Sequence, residues 1–229
     1  MTDQAESLPA RKPAWALMLS GLFHPLLVPT YMFLLLVAVN PYLFGSNNFL
    51  DTRSAITLLM IFLYTFVIPL VSVVLMLALG MISSLMIDDR MERIGPLLLV
   101  MVLYFWVYYN FSQSNDIPTI FSSYMLGIVM ALGASFVINV ADKISLHAVG
   151  MGGLVGMAMI TMAIFGANGI QISGLTFSLG LLVLLTVILA GLVGSARLAL
   201  KAHAPGQLYV GYAVGFIAQL AALLYYFQG

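Results

Sequence analysis

Seven apolar runs, each near the length needed to cross a bilayer, recur from residue 14 to the end of this chain. That recurrence constrains the fold more than any other feature. A hydrocarbon core roughly 30 Å thick takes about 20 helical residues to span. By hydropathy the spans fall at roughly 14–39, 55–83, 95–111, 118–140, 147–166, 173–194 and 206–227. In such surroundings backbone N–H and C=O groups must pair within their own segment, which selects helices. The expected fold is therefore all-α: a polytopic transmembrane helical bundle of six to seven spans. A short polar segment, 1–13, precedes a single transmembrane domain, 14–229, and the loops are too short to hold a soluble domain. Pro69 within the long second run predicts a tilt or kink there.

Composition excludes the main alternatives. Eight Lys plus Arg and eight Asp plus Glu, against 62% hydrophobic residues and a mean hydropathy of +1.09, do not describe a soluble domain of 229 residues. Net charge is zero and no basic arm or acidic tail is present, which argues against a nucleic-acid partner. Without cysteine there is no disulfide, thiolate nucleophile or cysteine metal site. Arg11 and Lys12 before an apolar stretch imitate a signal peptide, but the stretch runs to about Val39 without a small-residue cleavage pattern, so it reads as a retained first helix.

An alternating path places the loops at 84–94, 141–146 and 195–205 on the side of the N-terminus. Arg11, Lys12, Arg90, Arg93, Lys143, Arg197 and Lys201 then share that side, and only Arg53 lies opposite. The positive-inside rule makes the N-terminal side cytoplasmic. The third, fifth and seventh spans begin at this charged face. Pro96 near a helix start, Ser145 as an N-cap and Pro205 opening the last span fit that arrangement. Unpaired N–H groups at helix starts favour anions.

Arg90, Arg93, Lys143, Arg197 and Lys201, with His147 and His203 at the mouths of the fifth and seventh spans, form a candidate phosphate cradle. A planar guanidinium can hold two phosphate oxygens at once, whereas lysine contributes a point charge. Two histidines beside such a cradle permit phosphoryl transfer without metal or cysteine: one attacks phosphorus and the other protonates the departing alkoxide.

These residues resemble the motifs of the type-2 phosphatidic-acid phosphatase superfamily of membrane lipid phosphatases and related haloperoxidases, over about residues 80–220. Its third motif has Ser-Arg, five residues, His, three residues and Asp. Here Arg197 is followed after five residues by His203 and, three further on, by Gln207, with Ser195 one residue ahead of the expected place. The run Gln207-Leu-Tyr-Val-Gly-Tyr-Ala-Val-Gly215 is similar to that family's last helix. The second motif, Pro-Ser-Gly-His, reads Ile144-Ser145-Leu146-His147, and the first is represented by Arg90-Met-Glu-Arg93-Ile-Gly-Pro96, with Arg90 or Lys143 in place of its lysine.

The resemblance implies His203 as nucleophile, His147 as general acid, Arg93 and Arg197 as phosphate ligands, and Ser145 as a donor to a phosphate oxygen. Gln207 stands where the family has the Asp that orients the nucleophile, and Asp142 on the neighbouring loop is the candidate to compensate. The implied activity is hydrolysis of a lipid phosphate or isoprenoid (pyro)phosphate, with no cofactor and no metal. Membrane lipids are the expected partners.

Two other readings use the same residues. In one, a weak or inactive relative holds an anionic headgroup or supports a partner; under every reading, assembly of the chain as an oligomer stays open. In the other the chain is a small transporter, which an absence of internal repeats and of charges near the midplane disfavours. Basic loop residues also serve topology alone, and Ser145 serves as a helix cap. His24, about 15 Å along the first span, reads as a structural hydrogen-bond donor outside the site. Asn139, Asn168 and Gln171 read as interhelical or loop hydrogen-bonders.

Overall fold

The computed structural model describes residues 12–49, 51–85, 87, 89–166, 169–172 and 175–228. Arg11 and Asn168 lie outside the described residues. The elements are α1 (Ala14–Leu22), α2 (Val28–Val39), α3 (Thr52–Phe62), α4 (Ile68–Ala78), α5 (Ile94–Gln113), α6 (Thr119–Ala141), α7 (Leu146–Phe165), β1 (Ile170–Ile172), β2 (Leu175–Phe177), α8 (Leu179–Ala199) and α9 (Pro205–Gln228). Among the described residues, seven helical stretches are long and apolar enough to cross a membrane: α1 with α2, α3 with α4, and each of α5 to α9. The all-α bundle expected from hydropathy is the observed fold, with one small hairpin added.

Helix α7 is the hub, packed against α9, α8, α6 and α2. Lipid tails are as apolar as leucine, so helices in a bilayer are held by close packing rather than by burial from water. Glycines make that approach possible. A Cβ on Gly215 of α9 would lie 2.0 Å from the Val149 carbonyl oxygen, and one on Gly152 of α7 would lie 2.2 Å from that of Tyr212. At the far end of α7, β1 and β2 pair antiparallel, Ile170 opposite Phe177, and Ile170 joins Val39 and Leu179 in a small apolar cluster.

Three boundaries differ from the hydropathy reading, each for a local reason. Apolar residues continue past Ala78, but α4 stops there because Gly80 adopts φ +72°. The N–H of Gly80 donates to Leu77 and that of Met81 to Met76, closing the helix with a Schellman motif. The sixth span starts at Leu179 rather than 173, since 175–177 are taken by β2 and Ser178 caps the helix through Gly180 N–H at 3.1 Å. It also runs on to Ala199, so Arg197 sits in the last helical turn instead of a loop, where a cation suits the helix dipole.

Proline explains the two broken spans. Pro69 has no N–H to give the Thr65 carbonyl four residues back, and its ring crowds that carbonyl. The chain widens into a single π-helical turn over Leu63–Val67, and Tyr104 Oη of α5 donates to the orphaned Thr65 oxygen at 2.8 Å. In the first span Pro25 separates α1 from a 3₁₀ turn, Pro25–Leu27, and His24 accepts the Leu26 N–H at Nδ1, 3.3 Å.

A histidine and arginine cluster at the mouth of an interior cavity

The break at Pro25 changes the depth of His24. Pro25 packs against Gly150, the fifth residue of α7, and the ring of His24 lies 5.6 Å from that of His147, edge to face. Counting residues along one continuous first helix placed His24 outside the site. The structure places it inside, because the interrupted helix lets α1 pack on α8 while the Pro25–Leu27 turn and α2 pack on α7.

His24, His147, Arg93, Arg197 and His203 line one cavity of about 380 Å³. Each is held by a different element. Arg93 precedes α5 and is buried; its Nε donates to Ile87 O at 2.8 Å and its Nη1 to Ile144 O at 3.2 Å. Arg197 reaches from the end of α8 to Ser20 of α1, donating to Oγ at 3.4 Å. His147, in the first turn of α7, has Nε2 3.0 Å from Ser20 O. A carbonyl only accepts, so His147 carries its proton on Nε2 in that bond and leaves Nδ1 as its second nitrogen. Ser20 thereby fixes both an arginine and a histidine, a role no motif in the sequence signalled.

His203 lies in the turn between α8 and α9, just outside the spans. Its Nδ1 is 3.2 Å from Gln207 Oε1, and Gln207 Nε2 donates to Asp142 Oδ1 at 3.2 Å. The carboxylate can only accept, so the amide orientation is fixed and Oε1 faces the imidazole. Oε1 also accepts the Ala204 N–H at 3.3 Å. His203 must therefore donate from Nδ1, which leaves a lone pair on Nε2. Burial pushes its pKa down and the bond to Gln207 pushes back up. The cations Arg93, Arg197 and Lys143 add to the lowering, to about 4. His203 is thus neutral at pH 7.

The remaining sequence candidates stand behind this cluster. Ser145 is fully buried, and its Oγ accepts the Ala148 N–H at 3.4 Å as the cap of α7; it is not among the cavity-lining residues. Arg90 is exposed and donates to Ala141 O at 2.6 Å, while Asn139 Nδ2 donates to Arg90 O at 2.8 Å. Those bonds tie the loop before α5 to the end of α6. Lys143 is half-buried and acts on His203 through its charge. Asp142 and Gln207 do not line the cavity but orient His203 from behind. Among the described residues no group of three or more His, Asp or Glu is placed to hold a metal ion.

Below the polar mouth the cavity becomes apolar. Pro96, Leu97, Val100 and Tyr104 form one stripe on α5, and Ile128, Ala131 and Leu132 face them from α6. Tyr124 and Gln219 also line it. Neither a family model, a curated protein nor a solved structure matches this chain.

Proposed function

We propose that this protein is a membrane phosphatase-like enzyme, a divergent member of the type-2 phosphatidic-acid phosphatase superfamily. It hydrolyses a lipid phosphate or isoprenoid (pyro)phosphate through a phosphohistidine. The observation that carries the reading is the placement of His203: its Nδ1–H is held by Gln207, and it shares one cavity with two arginines and two further histidines, His24 and His147. A nucleophilic imidazole needs that lone pair, and a phosphoryl group needs those cations.

In the proposed reaction Nε2 of His203 attacks phosphorus as the bond to the ester oxygen breaks. The substrate binds as its monoanion and passes its proton to Nδ1 of His147; the leaving alkoxide takes that proton back, while Arg93 and Arg197 stabilise charge on the phosphoryl oxygens. Water then attacks the phosphohistidine, His147 accepts its proton, and inorganic phosphate leaves with His203 restored. Asp142 supports His203 through Gln207 rather than by direct contact. The N-terminal face, and with it the site, is assigned to the cytoplasm on the distribution of Lys and Arg.

Inorganic phosphate release from a panel of lipid phosphates by the purified protein tests the proposal, beside His203→Ala and Gln207→Asp. The expected result is turnover by the parent, loss in His203→Ala and gain in Gln207→Asp. No turnover by either the parent or Gln207→Asp overturns the enzyme reading and leaves the second one, an anionic-lipid binder. That second reading rests on the neutral amide of Gln207 where a carboxylate would stabilise an imidazolium. Activity surviving His203→Ala overturns the assignment of the nucleophile.

A further inference from the structure

We propose that the site takes a single-chain anionic amphiphile whose tail enters the interior of the bundle, with Tyr124 and Gln219 setting the chain length it accepts. This inference rests on the phosphate-binding reading of the mouth, and it goes further by naming where the tail goes.

The cavity runs along the helix axes rather than across them. Its α5 lining recurs at Arg93, Pro96, Leu97, Val100 and Tyr104, one face of a helix over three turns. At 1.5 Å per residue that face is about 16 Å long, so the inner end lies near the middle of a roughly 30 Å hydrocarbon core. The polar and charged groups sit at one end and the stretch between is aliphatic. Such a shape matches one anionic headgroup with one chain beneath it.

A second, independent observation marks the inner end. Tyr124 is 1% exposed, lines the cavity, and its Oη has no hydrogen-bond partner among the described residues. A buried hydroxyl without a partner costs free energy, and phenylalanine would pack as well there. Gln219, 2% exposed, stands beside it in the middle of α9 and donates to Tyr124 O at 3.4 Å. Its amide occupies the space a side chain at 127 would need: a Cβ on Gly127 would lie 2.5 Å from Gln219 Oε1. Held at membrane depth, with glycine making room for the amide, these two side chains close the inner end of the tube and set how far a chain can reach.

A tail already dissolved in lipid gains little hydrophobic free energy by entering the protein, so selection by length is steric. With carbon–carbon bonds of about 1.5 Å, each extended carbon advances roughly 1.3 Å, and about a dozen fill the tube.

The test uses the full chain in phosphatidylcholine nanodiscs and a series of n-alkylphosphonates, whose carbon–phosphorus bond a phosphatase does not hydrolyse. Binding is measured as mole fraction in the disc. Affinity should hold up to about a dozen carbons and fall by about tenfold or more beyond. Ala131→Leu and Leu97→Phe, which narrow the tube from α6 and α5, should each move the limit to shorter chains while the shortest phosphonate binds as before. Either variant suffices if the other fails to fold. Affinity independent of chain length, or a limit that neither folded variant moves, overturns the proposal. Phosphate release from alkyl and diacyl phosphates in the same discs separates the two readings. A length limit without turnover leaves the tube standing and removes the enzyme. Equal turnover of every chain, diacyl phosphates included, does the reverse.

Discussion

Gln207 Oε1 accepts from Nδ1 of His203 at 3.2 Å while its own Nε2 donates to Asp142, so an amide stands between the imidazole and the nearest carboxylate on that side. The amide fixes the tautomer as an aspartate would. It does not supply the negative charge that would favour an imidazolium, and burial, with the nearby cations Arg93, Arg197 and Lys143, holds His203 at about 4.

The first prediction concerns rate against pH. His203 attacks only when neutral, so the acid limb of kcat/KM should lie near 4 rather than at the ordinary 6.5. Gln207→Asp puts a carboxylate beside the ring and should move that limb up by about 1–3 pH units. A limb that stays in place in Gln207→Asp would show that His203 is not the group being read.

Stability carries the same signature with a definite sign. The folded value, about 4, lies below the unfolded value of about 6.5, so between them the unfolded chain binds more protons. Thermal stability should therefore rise from pH 4 to 6.5 and contribute no further slope above. His203→Gln, which keeps a donor for Gln207, should flatten this rise; an unchanged profile counts against the lowered value.

Arg197→Lys separates charge from geometry. Lysine keeps the cation but loses the planar fork, so kcat should fall by about 10²-fold or more, with stability little changed. Full activity in this variant would remove Arg197 from the phosphoryl group.

Close backbone contact makes a prediction independent of chemistry. Gly215→Ala places a methyl group 2.0 Å from Val149 O and 2.7 Å from Gly153 N, atoms that cannot rotate away. The α7 and α9 helices must separate, at a cost of about 1–3 kcal/mol. Gly206→Ala, with nothing within 4 Å of the added carbon, is the control. Equal melting temperatures for the two would contradict the packing described.

Tyr104 and Pro69 form a testable pair. Tyr104→Phe removes the donor that satisfies Thr65 O, at about 1 kcal/mol. In a Pro69→Ala background the new N–H can serve that carbonyl, so the same change should cost less. Additive costs in the double-mutant cycle would mean the tyrosine hydroxyl does not compensate for the proline.

Much of this was legible along the chain because hydropathy and helix capping are local. The seven spans, the all-α fold, the shared face of Arg93, His147, Arg197 and His203, and Ser145 as the cap of α7 follow from runs, prolines and loop parity. Hydropathy overruns the end of α4 and the start of α8, where a single residue, Gly80 or Ser178, decides against an apolar stretch that continues past it.

What only the tertiary structure decided is which distant residues meet, because that depends on how helices pack and not on their composition. His24 comes level with His147 because Pro25 breaks its span and seats against Gly150. Ser20 holds both His147 and Arg197 from a helix that no motif reached. Asp142 and Gln207, 65 residues apart, become one hydrogen-bonded support for His203. The apolar stripe of α5 is a run of ordinary membrane residues in sequence. It becomes the wall of a cavity only once α6, α7 and α9 close around it, since an interior space belongs to the packing of several helices and is written in none of them alone.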